Sequence, residues 1–360
     1  MPPVEHQIQA GVAGKVMLEQ RKTEHLSINL EKDVGFPRVT TGLERYRFVH
    51  KALPEVSLDE IDVATSFLGK RLRIPLLISS MTGGTAEAKR INVHLAQGAQ
   101  TAGIAMGLGS LRAAFEDPRL VDTFQIRPQA PDILLFANLG AIQLNTGFGP
   151  SACQRAVELV QADALILHLN PLQEALQSDG DGSWRGLLGK IETVCKQLAV
   201  PVVVKEVGWG ISASIARQLV DVGVTAIDVA GSGGTSWSQV EMLRAPTERL
   251  RRVCAEFADW GIPTADALVE VRAALPDTAL IASGGLRSGM DLAKVLALGA
   301  DLGGVAGPFL KAANVSAMAV ADLAGEMADV LRTAMFCLGI PSIQTLKSTP
   351  ALQLDTARCT

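Results

Sequence analysis

Aromatic residues are scarce in this chain, and so are the features that mark several classes of binding protein. They make up only 4% of the 360 residues, and the net charge is −4 at pH 7. A surface for single-stranded nucleic acid needs stacking aromatics along a basic groove. A membrane span needs ~18 or more consecutive apolar residues, and the chain contains no uncharged run of that kind. We therefore expect neither a nucleic acid nor a membrane as a partner.

Cysteine is also sparse, and its spacing argues against two kinds of structural cross-link. The cysteines are odd in number, lie far apart and form no CxxC pair. This pattern disfavours a zinc site and a disulfide framework, and it is typical of a reducing compartment. We expect a cytoplasmic protein whose cysteines serve in packing, namely Cys153, Cys195, Cys254, Cys337 and Cys359.

Small aliphatic residues dominate what is present. Hydrophobic residues make up 48% of the chain, beside 34 glycines. From about residue 74 onward, short apolar segments recur without polar alternation, as expected for strands buried on both faces. Eight segments have this character: Pro75–Ser80, Gly103–Gly107, Ile133–Asn138, Ala164–Asn170, Pro201–Val207, Ala226–Ala230, Ala279–Ser283 and Leu302–Gly307.

Segments with helical spacing lie between these strands. They include Ala152–Val160, Leu187–Leu198, Ser212–Val222 and Met290–Leu298, the last opened by Ser288 as a predicted N-cap. Eight alternations of strand and helix predict an α/β fold, a (β/α)8 TIM barrel. An open doubly wound sheet is the alternative, which the missing GxGxxG fingerprint disfavours.

Two regions interrupt the alternation. Residues 1–73 are mixed and charged, and we interpret them as an N-terminal extension that contributes to the substrate site. The barrel is predicted over residues 74–345, followed by a C-terminal tail at 346–360. An insertion, roughly Ser236–Gly261, follows the sixth strand. It falls on the face where barrel enzymes carry their active sites.

Glycines end the seventh and eighth predicted strands. Gly284-Gly285 and Ala306-Gly307 leave backbone N–H groups open to a phosphate, and each pair precedes a helix start. Barrels commonly bind phosphate at this place. Alternatively, these small residues only form tight turns between strand and helix.

Lys205 stands on the fifth predicted strand among prolines and valines. A lysine there either points into a site of low dielectric constant or extends out of it toward solvent. At this strand end it can form a Schiff base or lie against an electron-rich cofactor ring. A buried ion pair with Glu206 is the alternative, which the opposite facing of strand neighbours disfavours.

The densest polar cluster follows the fourth strand, at His168, Asn170, Gln173 and Glu174. Glu174 is the best candidate ligand for a divalent metal. A lone carboxylate suggests Mg²⁺ completed by water and substrate phosphate oxygens. The alternative is a helix that opens at Asn170 with Glu174 on its solvated face.

Taken together and in this order, the motifs resemble the type 2 isopentenyl-diphosphate isomerases, which are FMN-dependent (β/α)8 barrels. HLNPLQE, from His168 to Glu174, is the most specific of them. The motifs are Arg21-Lys22-x-x-His25, Ser80-Met81-Thr82-Gly83-Gly84, Gly109-Ser110-x-Arg112, Asn138-Leu139-Gly140, His168-x-Asn170-x-x-Gln173-Glu174, Lys205-Glu206-x-Gly208, Gly233-Gly234-Thr235-Ser236-Trp237, Ser283-Gly284-Gly285-x-Arg287 and Ala306-Gly307.

The resemblance implies interconversion of isopentenyl and dimethylallyl diphosphate with reduced FMN and Mg²⁺, NADPH serving only to reduce the flavin. It also implies a homo-tetramer or homo-octamer. FMN is expected on Ser80, Met81, Thr82, Ser110, Asn138, Lys205 and Thr235, with its phosphate over Gly285, Leu286, Arg287, Ala306 and Gly307. The substrate is expected on Arg21, Lys22, His25, Ser110, Arg112, Gln173 and Trp237, and Mg²⁺ on Glu174. Catalytic roles are expected for Gln173, Lys205, His168 and Asn170.

Shifting a double bond requires a proton to be added at one carbon and removed from another, with water excluded. Our hypothesis is that reduced FMN is the main proton donor and acceptor. Gln173 would position the reacting group or relay the proton. Trp237 would line the isoprenyl pocket, where an aromatic face favours cationic character. Two residues depart from the family pattern, Leu111 where many relatives carry Gln and Ala230 where Ser is frequent.

Two other functions remain open from sequence. An FMN oxidoreductase of the 2-hydroxy-acid oxidase kind shares the barrel and the strand-five lysine, but it needs a histidine base near strand seven, and no histidine follows His168. A non-catalytic flavin- or phosphate-binding barrel is the second alternative. The HLNPLQE cluster and the basic Arg21-Lys22 pair argue against it.

Overall fold

A computed structural model describes residues 21–178, 180–347 and 349–355 of the chain. The first 20 residues of the predicted extension and Cys359 lie outside these described residues. The division at residues 73 and 345 stays a prediction.

Eight parallel strands close into a barrel, so the predicted (β/α)8 fold is confirmed. The strands follow one another around the barrel in chain order, and the eighth pairs with the first. They are β4 (Leu76–Ile78), β5 (Ala105–Gly107), β6 (Leu135–Gly140), β7 (Ala164–Leu169), β8 (Val202–Glu206), β9 (Ala226–Asp228), β10 (Ala279–Ala282) and β11 (Leu302–Val305). Each predicted segment overlaps one of them, and only β6 runs beyond its predicted end, by two residues.

Helices surround the barrel, and the four predicted from periodicity are present within about two residues. Ser288 caps α11 as expected, because its side chain accepts the backbone N–H of Asp291. The helices are α1 (residues 21–31), α2 (Ala86–Ala102), α3 (Arg112–Glu116), α4 (Pro150–Val160), α5 (Pro171–Leu176), α6 (Leu187–Gln197), α7 (Ala213–Asp221), α8 (Trp237–Arg244), α9 (Glu248–Glu256), α10 (Thr264–Ala274), α11 (Gly289–Ala297), α12 (Gly307–Val315), α13 (Ala317–Leu338) and α14 (Ile343–Lys347). Short 3-10 turns lie at Leu43–Arg45, Leu58–Glu60, Pro118–Thr123, Arg127–Gln129 and Ala141–Asn145.

The strands separate two apolar layers. Their outward side chains pack against the helices in one large core. Their inward side chains form a smaller cluster inside the barrel, consisting of Leu77, Ala105, Phe136, Ala164, Ile166, Val203, Ala226, Ile281 and Leu302. Burial on both faces accounts for strands such as β6 and β8, in which every residue is buried.

Four strands of the described residues lie outside the barrel. The hairpin of β2 (Thr65–Phe67) and β3 (Lys70–Leu72) adds Phe67 and Leu72 to the interior cluster, which closes the N-terminal end of the barrel. β1 (Tyr46–Phe48) pairs antiparallel with β12 (Leu352–Leu354), joining the N-terminal segment to the tail.

Two matching clamps tie strands together at the N-terminal end of the barrel. In the first clamp, Arg127 donates to the backbone carbonyls of Ala130, Ile133 and Gln161 and to the carboxylate of Asp163 at 2.9 Å. Asp163, at the start of β7, also accepts the backbone N–H of Leu135 at 2.9 Å. These bonds hold the start of β6 against the start of β7.

The second clamp repeats this arrangement on β10 and β11, four strands further around the barrel. Arg272 donates to the backbone carbonyls of Leu275, Thr278 and Gly299 and to Asp301 at 3.2 Å. Asp301 accepts the backbone N–H of Leu280 at 2.7 Å. A lysine completes each clamp, Lys70 on Asp163 and Lys347 on Asp301.

The opposite end of the barrel is open and carries the insertion. The predicted Ser236–Gly261 segment forms α8 and α9, the next helices after β9 in the chain. Among the described residues, no helix has the length and apolar character needed to cross a membrane.

Candidate active site

A cavity of about 740 Å³ lies at the C-terminal ends of the barrel strands. Every residue assigned to a site from sequence lines it, whether the predicted ligand was flavin, substrate or metal. They are Arg21, Lys22, His25, Ser80, Met81, Thr82, Ser110, Arg112, Asn138, His168, Asn170, Gln173, Glu174, Lys205, Thr235, Trp237, Gly285, Leu286, Arg287, Ala306 and Gly307. The structure therefore brings the predicted residues together, whereas their individual roles stay predictions.

The ends of β10 and β11 form a cradle that fits a phosphate. Gly284 and Gly285 have φ angles of 102° and 80°. A Cβ on Gly284 would lie 2.1 Å from the Gly231 carbonyl oxygen, so a larger residue has no room there. Gly307 opens α12 with nothing near its missing side chain, and no side chain caps this helix. The N-terminus of α12 therefore presents backbone N–H groups to an anion.

Several buried polar atoms around the cavity have no partner among the described residues. They include the hydroxyls of Ser79 and Ser80 and the side-chain oxygen of Asn170. Buried polar groups are nearly always hydrogen-bonded, so these atoms fit a polar ligand. With the glycine cradle, they fit a flavin mononucleotide, which has a phosphate and a polar ring edge.

Lys205 lies on the cavity floor with only 7% of its surface exposed. Its Nζ donates to the backbone carbonyl of Glu206 at 2.6 Å. The Glu206 carboxylate instead accepts three successive backbone N–H groups, from Val207 to Trp209, at 2.6 to 2.7 Å. The lysine is thus not paired with the Glu206 side chain. Burial lowers the pKa of Lys205, and the negative charges of Asp228 and Glu206 oppose this shift.

His168 is neutral, and a hydrogen bond fixes the orientation of its ring. Burial, and then the charge of Lys205, lower the pKa of His168 to about 3. Its Nδ1 lies 2.9 Å from the side-chain oxygen of Asn138, whose own amide nitrogen donates to the Leu108 carbonyl. Nδ1 therefore carries the proton, and Nε2 is left as an acceptor.

Glu174 is buried beside the cavity, so its expected alternative place on a solvated helix face is wrong. Asn170 begins α5 but makes no side-chain cap. Its amide instead donates to Gln173 Oε1 at 3.2 Å and to Glu174 Oε1 at 3.0 Å. Glu174 Oε2 accepts the backbone N–H of Asp181. The described residues contain no group of three or more metal-binding side chains, so metal here would depend on ligand oxygens.

Glu241 is a site residue that sequence reasoning missed. It is 3% exposed, and its Oε1 accepts from Gln173 at 3.0 Å and Gln177 at 2.8 Å. The same oxygen lies 3.1 Å from His25 Nε2, and Oε2 accepts from Arg244 at 2.7 Å. Burial alone would raise the pKa of Glu241, but these donors, led by His25, lower it to about 2. Glu241 is therefore an anion that fixes the amide of Gln173.

Sequence did contain a signal for Glu241. It lies four residues after Trp237 on α8, and residues at that spacing share a helix face. The His25 ring packs edge-on against Trp237, with centroids 5.1 Å apart. Trp237 and His25 thus line one wall of the cavity, and Glu241 contacts His25 from behind this lining.

The basic residues of the N-terminal segment are not a purely solvated surface. Lys22 Nζ donates to the Ser110 carbonyl at 3.3 Å and lies 5.2 Å from the Phe124 ring centroid. Burial, and then the charge of Arg21, lower the pKa of Lys22 to about 7. Arg112 is bound to Glu116 at 2.6 Å. Together these cations form a positive rim on the cavity.

Comparisons with known proteins identify the family of this chain. The profile of the FMN-dependent dehydrogenase family matches residues 15–119 and 167–353. The chain is 53% identical over 335 residues to an isopentenyl-diphosphate delta-isomerase of Nostoc sp., covering 93% of this chain and 96% of that protein. This chain belongs to the type 2 isopentenyl-diphosphate isomerase family. A Synechococcus member of the family is 55% identical over 326 residues, 91% of this chain and 94% of that protein.

Solved structures share the fold of this isomerase-family chain at low identity. A putative lactate oxidase of Pediococcus acidilactici is 18% identical, with a TM-score of 0.66 and 94% of both chains covered. A flavocytochrome b2 variant is 20% identical, with a TM-score of 0.67, covering 94% of this chain and 85% of that one. At such identities these likenesses concern the fold alone.

Proposed function

We propose that this protein interconverts isopentenyl diphosphate and dimethylallyl diphosphate. Reduced FMN and Mg²⁺ would be required, and NADPH would reduce the flavin. The proposal is supported by family membership and by one structural observation. A cavity with room for a flavin joins an anion-binding rim to an amide, that of Gln173, which a buried carboxylate holds in place.

The rim suits a diphosphate. Arg21, Lys22 and Arg112 line the cavity, and the charges of both arginines act on Lys22. Both the arginine fork and a compact ammonium bind phosphate oxygens. A chain with net charge −4 needs only these local cations to hold a small anion. The apolar end of the substrate would then lie toward Trp237 and Gln173.

The residues around the reacting carbons would position them and exclude water. When bound, reduced FMN supplies an electron-rich ring that can give and accept a proton. Gln173 is held at both ends of its amide, by Asn170 at Oε1 and by Glu241 at Nε2. Its rigid amide would orient the isoprenyl group or relay a proton. Trp237 would stabilise positive charge that develops on the tertiary carbon.

Glu174 would bind Mg²⁺ together with diphosphate oxygens and water. A single carboxylate is sufficient for such a site, because Mg²⁺ keeps several waters and is often held jointly by protein and phosphates. Asn170 contacts one Glu174 oxygen and the backbone of Asp181 the other, so the carboxylate is oriented in advance.

Turnover of isopentenyl diphosphate tests the proposal. We expect dimethylallyl diphosphate to form when the purified protein is supplied with FMN, NADPH and Mg²⁺ under anaerobic conditions. Glu174→Gln should lose at least ~100-fold of the Mg²⁺-dependent activity, because it removes the protein's ligand, while FMN binding is retained. Glu270→Gln makes the same change at an exposed position of α10 and serves as control.

Absence of the product under all these conditions would refute the proposed activity. Full Mg²⁺-dependent activity in Glu174→Gln would refute only the metal role. FMN content, measured from the absorbance of the bound flavin, shows separately whether each variant keeps the cofactor.

A further inference from the structure

Three ionisable side chains lie side by side on neighbouring strands below the cavity. His168 on β7 is in register with Lys205 on β8, and Lys205 is in register with Asp228 on β9. Partners in register point to the same side of a parallel sheet. The next partner of Asp228 is Ile281, which belongs to the barrel interior. All three side chains therefore face inward at the level of the cavity floor.

Asp228 is a buried carboxylate to which sequence and family resemblance assigned no role. Only 1% of its surface is exposed. Its Oδ1 accepts the Ser283 hydroxyl at 2.8 Å and the backbone N–H of Ala230 at 3.2 Å. Its Oδ2 is fully buried and has no partner among the described residues. A buried carboxylate with a free oxygen is costly unless a cation lies nearby.

Lys205 is that cation, and Asp228 is the first of the two negative charges, before Glu206, that favour its protonated form. The Glu206 carboxylate is already occupied by three backbone N–H groups. His168 is neutral and bonded to Asn138, so it contributes no negative charge. On the two strands that flank β8, Asp228 is in register with Lys205 and His168 is neutral. Burial raises the pKa of Asp228, and the charge of Lys205 opposes this shift, so the two groups favour each other's charged forms.

We propose that Asp228 is a positioning residue that keeps Lys205 protonated beside the cavity. The inference rests on the proposed flavin site, because Lys205 is the residue expected to lie against the flavin ring. Asp228 does not line the cavity itself. It acts through the lysine, and Ser283 fixes the carboxylate in place by its hydrogen bond.

Asp228→Asn separates this role from a simple charge effect. The asparagine is isosteric and keeps an acceptor for Ser283. If Asp228 holds Lys205 protonated, the variant loses a positive charge beside the flavin, and the reduced form is disfavoured. A nearby anion with no such role would have the opposite effect, since its removal favours the electron-rich reduced flavin.

The measurement is the midpoint potential of bound FMN between pH 6 and pH 9, against a redox dye. We expect the Asp228→Asn potential to fall below the parent's as pH rises. The expected difference at pH 9 is at least tenfold in the reduction equilibrium, or about 30 mV for a two-electron couple. A potential above the parent's throughout the range would overturn the proposal.

Lys205→Arg provides the matched background, because arginine stays charged over this range. There, adding Asp228→Asn should produce no fall that grows with pH. The same fall in both backgrounds would indicate a structural disturbance and contradict the proposal.

A second readout does not require flavin. Reductive methylation labels the neutral amine of lysine, and peptide mass spectrometry quantifies it at Lys205. In the flavin-free protein at pH 8, we expect labelling at least tenfold faster in Asp228→Asn than in the parent. Equal rates would refute the role of Asp228 even if FMN proved not to be the cofactor, whereas failure to bind FMN alone would refute only the proposed function.

Discussion

The two ends of the barrel differ in whether their polar groups are hydrogen-bonded within the described residues. At the N-terminal end, Arg127 and Asp163 satisfy each other and the surrounding backbone, and Arg272 and Asp301 repeat the pattern. At the C-terminal end, the described residues leave polar atoms such as Ser80 Oγ buried without partners. The same strands connect both ends. The comparison indicates that stability is concentrated at one end, so that the other can hold groups prepared for ligands.

Breaking a clamp is the strongest test of this division. Arg127→Ala removes a charged partner of Asp163 and leaves backbone carbonyls unpaired. We expect a loss of about 3 kcal/mol in the free energy of unfolding, the lower range for a broken buried pair, since Asp163 is 26% exposed. Urea denaturation measures it, and flavin affinity of the folded protein should be unchanged.

Arg272→Ala should behave in the same way, because it removes the equivalent group of the second clamp. Arg252→Ala is the control, since its side chain is 71% exposed, and a change within ~0.5 kcal/mol is expected. A clamp variant as stable as this control would contradict the assignment of stability to the N-terminal end.

Glu241→Gln tests the C-terminal end with the opposite profile. The neutral amide no longer holds Gln173, His25 and Arg244 as a charged acceptor. We expect kcat to fall on the order of 10–100-fold through misplacement of reacting groups. FMN affinity should stay the same, since the predicted flavin residues lie elsewhere in the cavity. A fall in FMN affinity with kcat unchanged would contradict this role, because it would show that Glu241 supports flavin binding rather than the position of Gln173.

The lowered pKa of Lys22 predicts that the affinity of the protein for anions depends on pH. A pKa of about 7 means that the free protein loses this positive charge as pH rises above 7. The affinity for inorganic diphosphate, measured by calorimetry, should therefore fall by up to ~10-fold per pH unit above that value. Lys22→Arg stays charged and should lose this dependence. Because the ionisation of diphosphate itself is common to both proteins, equal slopes would contradict the assignment.

The sequence was sufficient to predict the barrel because each strand can be recognised from its own residues. A segment such as Val202–Glu206 is apolar throughout, and its register with neighbours follows from closure of the sheet. The cavity was predictable for the same reason, since every strand end reaches the same face. Motifs at these ends, including Gly284-Gly285, needed no knowledge of distant contacts.

The features that the sequence did not reveal depend on contacts between residues that are distant in the chain. The spacing from Trp237 places Glu241 on the same helix face, but its role is visible only once His25 and Gln173 are seen to converge on it. The partners of Arg127 are likewise spread from Ala130 to Asp163. The alternative of a solvent-exposed Glu174 was wrong because the helix that it belongs to lies against the cavity rather than solvent.

A smaller test compares the two clamps with each other. The carbonyl that accepts the arginine Nε belongs to Gln161 in the first clamp and to Gly299 in the second. Both residues are left-handed, with φ of 51° and 106°. Gln161 is exposed, and glycine adopts this conformation without a steric penalty. Gln161→Gly should therefore stabilise the protein by ~0.5–1 kcal/mol in urea denaturation.

Gly299→Ala is the reciprocal change and should destabilise. A Cβ there would lie 2.8 Å from Cγ of Arg272, and its φ of 106° is strained for any L side chain. A cost above ~1 kcal/mol is expected, since conformational strain and displacement of the clamp arginine act together. If both substitutions had the same sign, backbone strain would not be what distinguishes the two clamps, and Gln161 would have to contribute a favourable interaction of its side chain.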